Sequence, residues 1–99
     1  MLKLVIPPGV ADTIRHLPPS LKHGVRQAIR TIAANPASGE PLQRELAAYL
    51  KYKVRRFRIV YAIDRRRRMV RIMAVGPRST IYEEVAEQLR DRRDETPER

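Results

Sequence analysis

The chain has 99 residues, 42% of them hydrophobic, with one Phe, no Trp and no Cys. That suffices for one domain around a single aliphatic core, burying about 60–70% of its unfolded surface, and it excludes disulfides and thiolate metal sites. No apolar run approaches the roughly 20 residues of a membrane span, and the N-terminus lacks a signal peptide's charged start and apolar stretch, so a cytoplasmic chain with no membrane contact is expected. The net charge of +10 is unevenly placed. Residues 1–82 hold 17 basic and 4 acidic side chains, residues 83–99 hold 4 and 7, and the stretch from Lys51 to Arg78 sets 11 basic residues against Asp64 alone. Mixed charge would serve solubility as well, so a block of one sign implies a polyanionic partner, with nucleic acid first among the candidates.

"LKLVI" at residues 2–6, closed by Pro7-Pro8, reads as a strand. Val10, Ile14 and Leu17 then recur at helical spacing up to Pro18-Pro19. From Ser20, the residues Leu21, Val25, Ala28, Ile29 and Ile32 mark one face of a longer helix that stops at Asn35-Pro36. The two segments form a helical hairpin whose polar face carries Arg15, Lys22, Arg26 and Arg30. "PASGEPLQRELAAY", residues 36–49, begins as a loop in which Leu42, Leu46 and Tyr49 are placed to anchor to the core. Strands follow at about 50–55, 57–63 and 69–76. Thr80 and Glu83 are spaced as a capping box ahead of a helix marked by Val85 and Leu89. The expected class is α+β: a small antiparallel sheet with an N-terminal helical hairpin packed on one face and a C-terminal helix, in the order β-α-α-β-β-β-α. One domain is expected over residues 1–90, with a charged, frayed tail over 91–99.

The stretch "KYKVRRFRIVY", residues 51–61, alternates apolar and basic side chains. With Arg55-Arg56 as a two-residue turn, Val54 pairs with Phe57, Lys53 with Arg58 and Tyr52 with Ile59, and cross-strand partners share a face. Tyr52, Val54, Phe57, Ile59 and Tyr61 then form a core face, and Lys51, Lys53 and Arg58 lie on the other. Arg-Arg lacks the Gly or Asn that such turns favour. A second turn through "DRRRR" pairs Ile63 with Val70, so Ile72 and Ala74 are expected to continue the apolar face. The strand from 69 to 76 ends beside Phe57 and Arg58, where Arg78 emerges, with Tyr82 four residues on. Lys53, Arg58 and Arg78 therefore converge at one end of the sheet. Like charges this close repel unless solvent or an anion lies between them, and cations beside a tyrosine favour tyrosinate, which makes Tyr82 a candidate proton acceptor.

These segments resemble the RelE-type branch of the RelE/ParE toxin superfamily, the toxic halves of bacterial toxin–antitoxin pairs. The resemblance covers about residues 2–89. It is carried by "LKYKVRRFRIVYAID", similar to the family's basic strand followed by an aromatic-Arg-apolar-apolar-Tyr strand, and by "VGPRSTIYEEV", similar to its Val-Gly-x-Arg followed by Tyr and a helix. Two positions depart from the pattern. Arg55-Arg56 stands where the family often has Gly or an acid, and Pro77 stands where many relatives have Lys or His.

The resemblance implies a metal-independent endoribonuclease that cleaves mRNA in the ribosomal A site and inhibits translation, leaving 2′,3′-cyclic phosphate ends. By position, Lys51 and Lys53 would hold and polarise the scissile region, Arg58 would stabilise the extra charge on phosphorus, Arg78 would aid the leaving oxygen, and Tyr82 would help activate the 2′-hydroxyl. Such chemistry depends on positioning and charge stabilisation. The implied partners are a cognate antitoxin, the ribosome and mRNA, with no cofactor. Arg55, Arg56, Arg65, Arg66, Arg67, Arg68 and Arg71 are the expected RNA-binding residues. Two other classes remain open: a ParE-like inhibitor of DNA gyrase that performs no chemistry, and a non-catalytic RNA-binding protein, which the charge alone would satisfy. His16 and His23 have no partner at metal-ligand spacing, and the adjacent Glu83 and Glu84 do not face each other on a helix.

Overall fold

The computed structural model describes the backbone of residues 2–95 and the side chains of residues 2–90. In chain order the elements are β1 (Lys3–Val5), α1 (Pro8–Arg15), α2 (Pro19–Ala34), β2 (Glu40–Pro41), β3 (Leu50–Val54), β4 (Phe57–Asp64), β5 (Met69–Pro77) and α3 (Ile81–Glu95), with short 3-10 turns at Pro36–Ser38 and Arg44–Leu46. Pro8 and Pro19 open α1 and α2. Proline suits that place because its missing N–H is one that a helix leaves unbonded, and its φ is already helical. Pro36 disfavours helical backbone at Asn35, where α2 ends. The part of the expected charged tail beyond Glu95 lies outside the described residues.

The five strands lie in the order β1-β5-β4-β3-β2. The helical hairpin carries the chain from the β1 edge to the β2 edge. From there β2, β3, β4 and β5 run back as an antiparallel meander, and β1 alone pairs parallel, with Leu4 opposite Val70. The β3–β4 register places Val54 opposite Phe57, Lys53 opposite Arg58 and Tyr52 opposite Ile59, around the two-residue turn Arg55-Arg56.

Both faces of the sheet are covered. On one, Val54, Ile59, Tyr61, Val70, Ile72 and Val75 pack with Ile14 of α1 and Val25, Ala28, Ile29 and Ile32 of α2. On the other, Val60, Met73 and Ala74 pack with Ile81 and Val85 of α3, and Leu42, Leu46, Tyr49, Tyr82 and Leu89 close its margin. The expectation that Ala74 shares a face with Ile59 and Ile72 is corrected here. Tyr61 pairs with Ile72 but Val60 pairs with Ala74, so β5 carries an extra residue at Met73. A β-bulge of this kind shifts the alternation by one, which turns Val75 toward α1 and α2 and leaves both Met73 and Ala74 under α3.

Tyr61 is fully buried, and its hydroxyl ties the sheet to the loop after α2. Its Oη donates to the Pro36 carbonyl at 2.6 Å and accepts the Gly39 N–H at 2.9 Å. The loop passes so close that a Cβ on Gly39 would lie 2.5 Å from Tyr61 Oη and 2.6 Å from the Lys51 carbonyl oxygen. Three of the described residues have left-handed backbone, Arg44 (φ 58°), Arg55 (φ 56°) and Arg68 (φ 56°), and no described glycine does. A side chain with a Cβ is held there at about 1–2 kcal/mol per residue.

Candidate functional site

The site is built from the β3–β4 turn outward. Lys53 and Arg58 are a direct cross-strand pair. One step along, the Arg78 backbone N–H donates to the Arg56 carbonyl at 2.7 Å, which joins the segment after β5 to the turn. Arg55, Arg56, Phe57, Arg58, Pro77, Arg78 and Ser79 consequently enclose an open depression of about 730 Å³. Four of these seven residues are arginines and none is acidic. The side chains of Arg55, Arg56 and Arg78 are exposed, whereas Arg58 is only 7% exposed.

Burial of Arg58 was not legible from strand alternation, which placed it with Lys51 and Lys53 on the face away from the helical hairpin but said nothing of what covers that face. Its Nη1 donates to the Phe57 carbonyl at 2.8 Å and to the Arg55 carbonyl at 3.0 Å. Nη1 carries two N–H groups, so both are committed to the turn, while Nε and Nη2 carry three more. Among the described residues no fully buried side-chain polar atom lacks a partner, so the donors that Arg58 does not spend on the turn remain open to solvent or to an anion. One end of the guanidinium braces the hairpin, and the rest faces outward.

Lys51 sits two residues back on the same face as Lys53. Its Nζ lies 5.9 Å from the centroid of the Tyr82 ring, within cation–π reach, and 4.0 Å from Oε1 of the exposed Glu40. Tyr82 is half-buried in the first turn of α3. Lys51, Tyr52 and Lys53 line a second, smaller depression of about 320 Å³ with Ser38, Gly39 and Glu40. The structure thus brings Arg58 and Arg78 together at one depression and Lys51 and Lys53 at the other, linked by the Lys53–Arg58 cross-strand pair, with Tyr82 beside Lys51. Glu40 did not stand out in the sequence, and its pairing with Lys51 across β2 and β3 follows from the Tyr61 anchor.

The remaining arginines lie apart from this cluster. Arg65, Arg66, Arg67 and Arg68 form the exposed tip of the β4–β5 hairpin, at the opposite end of β4. Arg71 is half-buried opposite Ala62, beside a depression of about 400 Å³ that also involves Glu84 and Gln88 of α3. Among the described residues there is no group of three or more His, Asp or Glu side chains arranged to hold a metal, and no helix is long and apolar enough to cross a membrane. Chemically, the first depression offers four arginines around an open space, a set able to hold a phosphate and to meet negative charge that develops on it, and the Tyr82 phenol lies beside Lys51, outside the residues that line it.

Comparison with known proteins assigns the fold. A family model for the ParE toxin of type II toxin–antitoxin systems, parDE, matches residues 10–82. The chain belongs to this toxin family. A chain of the toxin–antitoxin complex RelBE2 from Mycobacterium tuberculosis is 25% identical to the toxin, with a TM-score of 0.68 over 78% of the toxin and 98% of that chain. The free-state structure of a mutant of the E. coli toxin RelE superposes with a TM-score of 0.69 at 18% identity, over 88% of the toxin and 96% of RelE. A YoeB/ParE toxin from Agrobacterium tumefaciens gives 0.66 at 19% identity, over 77% and 98%. No curated protein sequence matches the toxin significantly. The fold is RelE-like and the toxin is a member of the RelE/ParE superfamily.

Proposed function

We propose that the toxin is a metal-independent endoribonuclease acting on mRNA in the ribosomal A site. The observation that carries this reading is the depression at the end of the sheet, where Arg58 and Arg78 meet Arg55 and Arg56 with no carboxylate in its lining and Lys53 is the cross-strand neighbour of Arg58. In this reading Lys53 and the outward donors of Arg58 hold the scissile phosphate and meet its added charge, and Arg78 stabilises the leaving oxygen. Tyr82, whose ring centroid lies 5.9 Å from Lys51 Nζ, takes the 2′-hydroxyl proton. Attack by that 2′-oxygen on the adjacent phosphorus expels the 5′-oxygen of the next nucleotide and leaves a 2′,3′-cyclic phosphate. A ribosome that presents the message in a fixed pose supplies the orientation that weak acids and bases do not.

A second reading follows from the family model, which is that of ParE: an inhibitor of DNA gyrase that performs no chemistry. In either reading the toxin has a cognate antitoxin, and the solved neighbours include toxin–antitoxin complexes of RelBE type. The basic surface from Lys51 to Arg78 suits an antitoxin segment that is acidic or amphipathic, lying there or displacing α3 from Val60, Met73 and Ala74. Brief induction in cells followed by mapping of transcript ends separates the readings. New ends within translated reading frames support the ribonuclease. Double-strand DNA breaks with intact messages support the gyrase inhibitor. Growth arrest with neither would fit the non-catalytic RNA-binding alternative.

A further inference from the structure

The depression at the end of the sheet is not lined by charge alone. Phe57 and Pro77 also line it, and they are direct partners across β4 and β5, so their side chains share a face. Phe57 is half-buried: it packs against the core under the helical hairpin and also reaches the depression, while Pro77 is exposed. The rest of the lining is four arginines and Ser79. A small apolar step thus stands among the cations, and a bare phosphate gains nothing from it. Pro77, at which the chain departs from the family pattern, brings neither a charge nor an N–H to hold an anion. At about 730 Å³ the space falls within the roughly 300–1,000 Å³ of sites that hold a whole small ligand.

We propose that Phe57 and Pro77 form a stacking step for a nucleobase, so that the depression takes a nucleotide, base and phosphate together, and Phe57 positions the RNA against the arginines. That the ligand is RNA rests on the ribonuclease reading. An aromatic ring accepts the face of any base, and the proline ring beside it widens the apolar surface. The arginines serve both parts of the ligand, because a guanidinium forks onto phosphate oxygens or lies flat on a base. The step is in place before binding. Phe57 is held by the core, and the bond from the Arg78 N–H to the Arg56 carbonyl, 2.7 Å, ties the segment that carries Pro77 to the turn, so little order is lost on docking. A step of this kind ranks bases by stacking strength and not by hydrogen-bonded readout.

The test uses the purified full-length toxin and two probes that differ only by the base, adenosine 5′-monophosphate and ribose 5-phosphate. Phe57 is the one phenylalanine of the chain, so ring-labelled phenylalanine reports by NMR from this place alone. The wild type is expected to bind the nucleotide at least about fivefold more tightly than the sugar phosphate, as one stacked base contributes. The Phe57 ring signals should shift with the nucleotide and stay in place with ribose 5-phosphate. Phe57→Leu, which keeps an apolar side chain against the core, should bind both probes equally, whereas Phe57→Tyr should keep the preference and Pro77→Ala should reduce it. If Phe57→Leu does not fold, the wild-type ring signals and Pro77→Ala decide. Equal affinity of the wild type for the two probes, binding of neither, ring signals that ignore the nucleotide, or an undiminished preference in Phe57→Leu would overturn the proposal. A preference that Phe57→Leu abolishes, in a toxin that cleaves no message on programmed ribosomes, would keep the step and remove the ribonuclease reading. Cleavage without the preference would do the reverse.

Discussion

Arg58 donates from Nη1 to the carbonyl of Arg55, three residues back across the hairpin turn, at 3.0 Å. The turn residue that receives this bond has left-handed backbone, so the guanidinium helps hold a strained conformation that places Arg55 and Arg56 around the depression. Arg58 therefore carries a structural task beside the chemical one proposed for it. Arg78 does not, since among the described residues only its backbone N–H is bonded, and its side chain is exposed.

The two arginines are expected to separate in unfolding experiments. Arg58→Ala removes two charge-assisted hydrogen bonds from a buried position and should cost about 2–3 kcal/mol, a fall in Tm of roughly 8–24 °C for a domain of this size. Arg78→Ala should stay within about 0.5 kcal/mol of wild type. Thermal melts of both variants test this; equal stability would mean that the Arg58 brace carries no weight.

A second expectation concerns the anchor of the 36–39 loop. Tyr61→Phe leaves the Pro36 carbonyl and Gly39 N–H of the half-buried loop without their partner and should destabilise by about 1–3 kcal/mol. Gly39→Ala forces a Cβ against both Tyr61 and the backbone of Lys51 and should destabilise at least as much. Denaturant titration measures both. Because this loop sets Glu40 against Lys51, the same changes should disturb the Lys51–Tyr82 pair without touching either residue.

Alkaline pH probes the same hydroxyl. Burial pushes the Tyr61 phenol above its ordinary value of 10.0, against the opposing effect of the hydrogen bonds from the 38–39 segment. The folded protein therefore keeps the proton to higher pH than the unfolded chain does. The stabilisation is fully present below pH about 10 and is lost as pH rises through the raised folded value. Stability measured across the alkaline limb should fall in the wild type and fall less steeply in Tyr61→Phe. Parallel limbs would show that Tyr61 does not govern the transition.

The hairpin from Lys51 to Tyr61 was legible because alternation and a two-residue turn specify one register, and a slip by one residue would have moved the whole apolar set to the wrong face. The Met73 bulge was not, since "MVRIMAVG" is apolar nearly throughout and its alternation carries no mark of the extra residue. Nor was the parallel pairing of β1, whose three residues offer little pattern, or the burial of Arg58, which depends on side chains distant in sequence. The Tyr61 anchor had a faint signal: a tyrosine inside a buried strand must find a partner for its hydroxyl. At the site, the Lys53–Arg58 pairing followed from register alone, whereas the left-handed arginines contradict ordinary turn chemistry and no local rule would have placed them.

If the arginines of the depression and the Tyr82 phenol perform chemistry, single-turnover cleavage of message on saturated ribosomes depends on them. Saturation removes differences in affinity, so the rate reports the chemical step. Arg78→Ala should lose about 2.7–4 kcal/mol of transition-state stabilisation if its side chain meets developing charge. Tyr82→Phe, which changes no formal charge, should slow cleavage by ~100-fold or more as the loss of a general base, with new ends carrying 2′,3′-cyclic phosphate in the wild-type reaction. Wild-type rates in both variants, or no cleavage by the wild-type toxin on programmed ribosomes, would contradict the account.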